Sequence, residues 1–143
     1  MSFRVTTTHP DAKIPVKGHP TDAGWDVSVV TSETTDNEQV MMFNTHLIVE
    51  PPEGYYLELY CRSSLWKKGY MLANSCGGVI DPEYRGEIKL ALLKFDPTAP
   101  NLELPQRVAQ LIPRKVEDVS FDFAVNINLD TDRGDGGFGS TGN

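Results

Sequence analysis

Apolar and polar residues alternate in short runs along most of the chain, and turn-forming residues separate these runs. The runs cover residues 40–50, 55–61, 87–95, 107–112 and 121–126. A period of two is typical of half-buried β-strands, and the prolines and glycines between the runs interrupt helices. This pattern predicts an all-β fold, a jelly-roll-like distorted barrel of short antiparallel strands.

Two segments depart from the strand pattern. Residues 62–69 have a serine at the N-cap position and end on a glycine, which predicts one short helix. Residues 127–143 are acidic and then glycine-rich, and they lack enough apolar side chains to build a core. We therefore expect a β domain over residues 1–126 and a flexible C-terminal arm over residues 127–143.

Composition excludes several classes of protein. The chain has 143 residues, which predicts one domain, and a net charge of −7, which disfavours direct binding of nucleic acid or of an anionic membrane. It has no apolar run long enough to cross a bilayer and no signal sequence, so we expect a cytoplasmic protein, with a nuclear location also open. Two cysteines and three histidines without metal-ligand spacing indicate neither a disulfide framework nor a protein-ligated structural metal.

The C-terminal arm is the most unusual segment. Its glycines allow backbone N–H groups to approach an anion, and Ser140 and Thr141 add hydroxyl donors. Arg133 is suited to bind phosphate oxygens and Phe138 to stack on a flat ring, so the arm suits a nucleotide. A disordered terminus without a ligand is the alternative interpretation.

Two further segments are candidates for polar chemistry. Residues 62–64 (Arg-Ser-Ser) stand at the start of the predicted helix, where an anion would be stabilised, although a serine there also serves as an ordinary cap. Residues 77–87 predict a β-hairpin with Asp81 and Tyr84 at its tip. A carboxylate held there suits a general base, and an Asp-Pro turn without chemistry is the alternative.

Five segments, taken in order, resemble the motifs of the homotrimeric dUTPase family. They are AGWD at residues 23–26, CRSSLWKKG at 61–69, GVIDPEYRGE at 78–87, RVAQLI at 107–112 and RGDGGFGSTG at 133–142. The resemblance implies a β jelly roll that hydrolyses dUTP to dUMP and pyrophosphate with Mg²⁺. Such an enzyme limits uracil incorporation into DNA and supplies dUMP for thymidylate synthesis.

The resemblance also implies roles for the residues of the third motif. Asp81 corresponds to the general base that activates the attacking water. Tyr84 corresponds to the aromatic residue that packs under the deoxyribose and excludes a 2′-hydroxyl. The backbone at Gly78 and Ile80 would read the edge of the uracil.

The other motifs are implied to hold the triphosphate and the metal. Asp26 corresponds to a carboxylate that acts near Mg²⁺ through metal-bound water. The family's phosphate contacts correspond to Arg62, Ser63, Ser64 and Gln110. The arm would close over the site with Arg133, Phe138, Gly139, Ser140 and Thr141. The family builds each site from three chains, so the resemblance implies a homotrimer with shared active sites.

The sequence departs from the family pattern at a few positions. Cys61 stands where the family usually has glycine, and Trp66 replaces a small residue, either in a surface groove or at a subunit contact. Ser75 occupies a place where some members carry asparagine, while Asn74 is one residue away. The uracil contact from either side chain therefore stays open.

Two rival functions follow from the same resemblance. The related dCTP deaminases share the fold and a similar pattern, but the position of their proton-transferring glutamate is taken here by Ala91. A catalytically idle nucleotide-sensing or partner-binding protein of the same fold is the second rival. It is disfavoured because every expected chemical position, from Asp26 to Phe138, is filled.

Overall fold

Short antiparallel strands make up nearly all of the regular structure. A computed structural model of the chain describes residues 1–74, 77–140 and 142, and within them ten strands and one 3-10 helix form. The strands are β1 (Arg4–Thr7), β2 (Trp25–Val29), β3 (Thr31–Thr34), β4 (Val40–Asn44), β5 (Leu47–Glu50), β6 (Tyr55–Cys61), β7 (Tyr70–Leu72), β8 (Gly78–Ile80), β9 (Lys89–Lys94) and β10 (Gln106–Lys115). The 3-10 helix spans Leu65–Lys68.

The strands form two four-stranded sheets and one two-stranded sheet. The first sheet has the order β2-β10-β6-β8, the second β3-β4-β9-β7, and β1 pairs with β5. Every pairing among these strands is antiparallel. Since consecutive strands are often on different sheets, the chain crosses repeatedly between layers, and the prediction of an all-β, jelly-roll-like fold is confirmed.

One hydrophobic core lies between the sheets. On β6, Leu57 and Leu59 are buried, while the Glu58 carboxylate between them accepts hydrogen bonds from Tyr56 and Tyr60 on the outer face. On β9, the buried residues are Leu90 and Leu92. The alternation in the sequence therefore corresponds to an inner apolar face and an outer polar face on both strands.

The apolar run over residues 40–50 is two strands rather than one. Thr45 and His46 interrupt the regular strand between β4 and β5, and His46 has a φ of 56°. The Thr45 hydroxyl donates to the Ile88 carbonyl at 2.7 Å and accepts from the Leu47 amide at 3.2 Å. Because this hydroxyl satisfies buried backbone groups, the strand can be interrupted inside an apolar segment.

The predicted helix is present but shorter than expected. Only residues Leu65–Lys68 are helical, in the 3-10 form, and the Ser64 side chain makes no capping hydrogen bond. Leu65 is buried and fixes this turn to the core. This four-residue helix is the longest helix within the described residues. No helix in this part of the chain is long and apolar enough to cross a membrane.

The strand predicted over residues 121–126 is wrong for the described chain. The regular structure ends with β10 at Lys115, and the Val116 amide makes the last backbone hydrogen bond to the body, with the Gly54 carbonyl at 2.9 Å. Beyond it every residue up to 135 is exposed. A strand needs a hydrogen-bonding neighbour, and no described edge of the same chain supplies one here.

The predicted hairpin over residues 77–87 is also wrong, although its turn exists. β8 pairs with β6 in the first sheet, whereas β9 pairs with β4 and β7 in the second. The intervening residues 81–88 therefore connect the two sheets, and we call them the inter-sheet turn. Local turn signals are the same for a hairpin and for such a connection, which explains the error.

A polar network holds the end of the inter-sheet turn. The Glu87 carboxylate accepts hydrogen bonds from the Thr8 hydroxyl and from Asn44 Nδ2 at 2.7 Å, and it lies 3.0 Å from His46 Nδ1. The Thr31 hydroxyl lies 2.7 Å from the other ring nitrogen of His46. These hydrogen bonds lower the pKa of Glu87 from 4.5 to about 2, with the Thr8 hydroxyl as the largest cause.

This lowered pKa predicts an acid-sensitive contribution to stability. The ionised Glu87 stabilises the folded state fully above pH 4.5, where the unfolded chain is also ionised, and this contribution is lost as the pH falls towards about 2. Replacing Glu87 by glutamine removes the titrating group. The difference in Tm between the wild type and Glu87→Gln should therefore shrink below about pH 4.5. Thermal unfolding followed by circular dichroism across this range measures it, and a constant difference would contradict the prediction.

Candidate active site

A cavity of about 380 Å³ opens where β8 meets the second sheet. Four of the predicted site residues, Gly78, Ile80, Asp81 and Tyr84, line it together with Asn74. β8 belongs to the first sheet and makes no strand pairing with the second sheet, so a cleft remains between them. The third motif therefore forms the wall of a real concave site.

The inter-sheet turn sets the positions of Asp81 and Tyr84. The Tyr84 amide donates to the Asp81 carbonyl at 3.1 Å, and the Tyr84 hydroxyl donates to the Glu87 carbonyl at 3.0 Å. The Arg85 guanidinium donates to the Pro82 carbonyl at 2.7 Å. Asp81 remains exposed, so its carboxylate is accessible to water and substrate.

β8 is the edge strand of its sheet. It pairs with β6 on one side only, through Leu57 opposite Ile80 and Leu59 opposite Gly78. An edge strand carries one row of unpaired backbone N–H and C=O groups. That row lies beside the cavity and is suited to recognise the hydrogen-bonding edge of a planar ring.

A second cluster lies on the first sheet, where β10 is flanked by β2 and β6. Gln110 on β10 stands opposite Asp26 on one side and Tyr60 on the other. Arg62 follows β6, and its Nε lies 3.3 Å from Asp26 Oδ1. A methyl group at Gly24 would overlap the Gln110 amide, so glycine is required for that side chain to lie here.

The carboxylate of Asp26 is shared between two arginines. Besides Arg62, the Arg107 Nη1 lies 3.6 Å from Asp26 Oδ2, and the Asp26 side chain is 15% exposed. Each guanidinium keeps further N–H donors free, because one contact uses only part of the planar fork. The cluster thus presents cationic donors oriented by one carboxylate, an arrangement suited to phosphate oxygens.

Ser63 and Ser64 are exposed beside this cluster. The 3-10 helix that follows them has only four residues. It therefore does not provide the partial positive charge of a helix N-terminus, which the sequence pattern suggested. What the segment offers an anion is the Arg62 guanidinium together with two exposed hydroxyl groups. We call Asp26, Arg62, Ser63, Ser64 and Gln110 the phosphate cluster.

The cavity and the phosphate cluster are far apart within one chain. Asp81 follows Ile80, which is level with Leu57 near the start of β6, whereas Arg62 follows the end of β6. Six residues of strand therefore separate the levels of Asp81 and Arg62, which corresponds to about 20 Å. Groups that bind one phosphate lie much closer together than this.

The described part of the arm contacts neither group of residues. Arg133 Nε donates to the Gly136 carbonyl at 2.9 Å, and the Ser140 amide donates to the Gly137 carbonyl at 3.0 Å. Phe138 has a φ of 52° and its ring is fully exposed. Gly139 is likewise exposed, and Thr141 lies outside the described residues.

The sequence motifs assign no role to two residues near these sites. Glu87 belongs to the third motif and accepts a hydrogen bond from the Tyr84 hydroxyl, and Arg107 in the fourth motif contacts Asp26. Asn74 lines the cavity, which favours it for the open uracil contact, whereas Ser75 lies outside the described residues. Only the three-dimensional pairing of distant segments reveals these roles.

The two family departures have different environments. Cys61 is half-buried and packs against the core, which raises the pKa of its thiol through desolvation. It therefore acts as a small apolar residue. Trp66 is 62% exposed on the 3-10 helix, so it does not fill a groove on its own chain.

The donor set suits Mg²⁺ bound through water and substrate. Within the described residues, no group of three or more histidine, cysteine or carboxylate side chains could hold a metal ion. Asp26 is the carboxylate of the phosphate cluster, and both of its oxygens already face guanidinium groups. Mg²⁺ keeps several waters and takes phosphate oxygens, so one nearby carboxylate is compatible with it.

Comparisons with known proteins agree with this geometry. The dUTPase family model matches residues 10–142. The deoxyuridine 5′-triphosphate nucleotidohydrolase of Corynebacterium diphtheriae is 38% identical over 135 residues, covering 93% of this chain and 88% of the relative. The protein of the same name from Solibacter usitatus is 33% identical over 144 residues, covering 99% of this chain and 97% of the relative.

The fold has a close counterpart among solved structures. The dUTPase of Staphylococcus bacteriophage 80alpha with dUPNHPP superposes with a TM-score of 0.80, covering 99% of this chain and 98% of that one at 22% identity. A mutant dUTPase from phage phi11 of S. aureus, described with a structural Mg(II) ion, gives a TM-score of 0.72 at 18% identity, covering 89% of this chain and 99% of that one. At such identities the likeness supports the fold. Together with a family match that runs through all five motifs, it shows that this chain belongs to the dUTPase family.

Proposed function

We propose that this chain hydrolyses dUTP to dUMP and pyrophosphate, with Asp81 as the general base. The observation that carries the proposal is the cavity beside β8, where an accessible carboxylate, an aromatic ring and a free backbone edge meet. Family membership and relatives named as deoxyuridine triphosphate nucleotidohydrolases support the same activity. Hydrolysis of dUTP limits uracil in DNA and provides dUMP for thymidylate synthesis, a role that requires no direct contact with nucleic acid and suits a cytoplasmic enzyme.

Asp81 is suited to orient the attacking water. Its carboxylate is exposed at the mouth of the cavity, and its carbonyl is fixed by the Tyr84 amide. A base held in this way accepts a proton from water as the oxygen attacks the α-phosphorus, and pyrophosphate leaves on the opposite side. The negative charge that develops on the phosphate oxygens must then be neutralised by other groups.

The cavity supplies groups for recognising deoxyuridine. The free backbone edge at Gly78 and Ile80 offers an alternating set of donors and acceptors, and Asn74 adds an amide. In this proposal the deoxyribose packs on the ring of Tyr84, which would leave no room for a 2′-hydroxyl. A site that pairs with every polar group of one base rejects other bases strongly, because their mismatched groups would stay unpaired.

The phosphate cluster is suited to bind the triphosphate. The Arg62 guanidinium, the free hydroxyl groups of Ser63 and Ser64, and the Gln110 amide all donate hydrogen bonds. Asp26 orients Arg62, and its carboxylate would act near Mg²⁺ through metal-bound water. Mg²⁺ bound to the phosphates would disperse their charge and hold the triphosphate in a reactive geometry.

The separation of the cavity from the phosphate cluster supports a site shared between chains. About 20 Å of strand lies between the levels of Asp81 and Arg62 of one chain, which is a long separation for two groups that act on one triphosphate. A second chain that brings its own Arg62 to the cavity removes this conflict. A homotrimer with three equivalent shared sites satisfies the requirement with closed symmetry.

An apolar stripe in the C-terminal segment supports the same assembly. Alternate residues from 119 to 129 have exposed apolar side chains, and these are Val119, Phe121, Phe123, Val125, Ile127 and Leu129. Such a stripe is typical of a strand with one buried face. An apolar groove of about 590 Å³ beside β1, lined by Phe3, Val5 and Trp25, offers a surface that a second copy's stripe would cover.

The arm beyond the stripe would then reach a site on another chain. Phe138 would lie over the uracil, and the phosphates would be enclosed by Arg133, Gly139, Ser140 and Thr141. Closure of such an arm excludes water and orients the triphosphate. The boundary between body and arm at residues 126 and 127 stays a prediction.

The rival activities have less support. Ala91, at the position where dCTP deaminases carry a glutamate, lines the cavity and provides no group for proton transfer. The relatives compared are named as dUTP hydrolases, so deamination is not favoured. A purely nucleotide-sensing protein would not need the exposed carboxylate of Asp81.

The substrate can be tested with four nucleotides. With Mg²⁺ present, the chain should release pyrophosphate from dUTP at least about a hundredfold faster than from dTTP, dCTP or UTP, because each of these mismatches the base or the sugar. A coupled pyrophosphate assay measures the rates. Ammonia release from dCTP, or absence of turnover with dUTP, would contradict the proposed function.

The role of Asp81 can be tested by replacing it with asparagine. Asp81→Asn keeps the shape of the side chain but cannot accept the proton, so turnover should fall by about a thousandfold. Calorimetric titration should still give a dUTP affinity close to that of the wild type. Asp36→Asn, on an exposed loop, is the matched control and should leave both quantities unchanged. A fully active Asp81→Asn variant would exclude Asp81 as the base.

Shared sites can be tested with mixed assemblies. Asp81→Asn and Arg62→Gln chains, each nearly inactive alone, should regain about a quarter of wild-type activity when co-assembled in equal amounts. This occurs because one in four random pairings joins an intact Asp81 to an intact Arg62.

A matched mixture separates the two arrangements further. When wild-type and doubly substituted chains are co-assembled equally, shared sites retain about a quarter of the activity, whereas sites within one chain retain about a half. No recovery in the first mixture together with half activity in the second would contradict shared sites.

A further inference from the structure

We propose that the Glu87 side chain is a positioning residue that fixes Tyr84 against the sugar of the substrate and thereby sets the discrimination between dUTP and UTP. Glu87 would not touch the substrate sugar itself. This inference rests on the proposed function, since it assigns a specificity role within the same cavity.

The first observation is how firmly the Glu87 carboxylate is held. Its partners are the Thr8 hydroxyl, Asn44 Nδ2 at 2.7 Å and His46 Nδ1 at 3.0 Å. These groups come from two separate segments: Thr8 follows β1, whereas Asn44 and His46 lie at the junction of β4 and β5. A carboxylate held from three directions fixes its own backbone with little freedom.

The second observation is that Tyr84 depends on the backbone of Glu87. The Tyr84 hydroxyl donates to the Glu87 carbonyl at 3.0 Å, and a methyl group at Gly86 would overlap the phenol. The ring therefore lies directly against the backbone of residues 86 and 87. A shift of that backbone would move the ring by a similar amount.

The third observation is that little else holds the ring. Tyr84 is 46% exposed, so packing against the body covers only about half of it. Its hydroxyl has a single hydrogen-bond partner among the described residues. Discrimination against one hydroxyl group needs positioning within a fraction of an ångström, which the Glu87 network is suited to provide.

Two substitutions test the proposal through the ratio of kcat/KM for dUTP to kcat/KM for UTP. Glu87→Gln removes the charge that orders the network, and this ratio should fall by about tenfold. Thr8→Val removes one hydroxyl at an exposed position while keeping the β-branched shape, and the ratio should fall by about threefold. Because Thr8 is exposed, this second variant is expected to fold even if Glu87→Gln does not.

Two matched controls lie outside the lining of the cavity. Asp96→Asn removes a carboxylate that accepts hydrogen bonds from the Thr98 amide and hydroxyl, and Thr7→Val changes an exposed neighbour of Thr8. Both should leave the ratio unchanged. A purely structural role for Glu87 would lower the amount of folded protein and affect both substrates equally, without changing the ratio.

The outcomes are distinct. A lower ratio in the folded variants, with unchanged controls, supports the proposal. An unchanged ratio in Thr8→Val and in folded Glu87→Gln, or an equal loss for both nucleotides, overturns it. Failure of the wild type to release pyrophosphate from dUTP is a separate result, because it overturns the proposed function itself.

Discussion

The pairing of β8 with one edge of β6 is the constraint on which the site depends. Because Ile80 is level with Leu57, Asp81 emerges near the start of β6, whereas Arg62 emerges at its far end. The hydrogen-bonded register fixes this separation along the strand. The same pairing leaves β8 as an edge strand, which gives the cavity a backbone surface that can read a base.

The crossing from the first sheet to the second forms part of the wall of the cavity. Residues 81–88 leave β8, traverse the gap between layers and enter β9. A turn that spans two layers is less constrained than a hairpin, because its ends belong to different ladders. The polar groups around Glu87 compensate for this freedom, because Asn44 and His46 hold the end of the inter-sheet turn at the point where it enters β9.

Sequence patterns predicted those features that depend on local periodicity. The strand at residues 55–61 was correct to the residue, because a period of two and a preceding Gly-containing turn define it locally. Errors arose where partners decide the outcome: residues 77–87 form a crossing rather than a hairpin, and residues 121–126 lack a neighbouring strand in the described chain. The hydrogen bonds of Glu87 could not be predicted for the same reason, since Asn44 and His46 are each more than forty residues from Glu87 in the chain.

The apolar stripe near the C-terminus also has a consequence for the behaviour of any chain in which it stays uncovered. Six exposed apolar side chains in strict alternation, two of them phenylalanine, form a segment that readily pairs with any open strand edge. Asp122 and Asp130 place negative charges on the opposite, polar face of this segment, and such charges oppose aggregation as gatekeeper residues do. Newly synthesised chains with an uncovered stripe are therefore the aggregation-prone species, and expression temperature and chaperone supply should govern the soluble yield more than the stability of the β body.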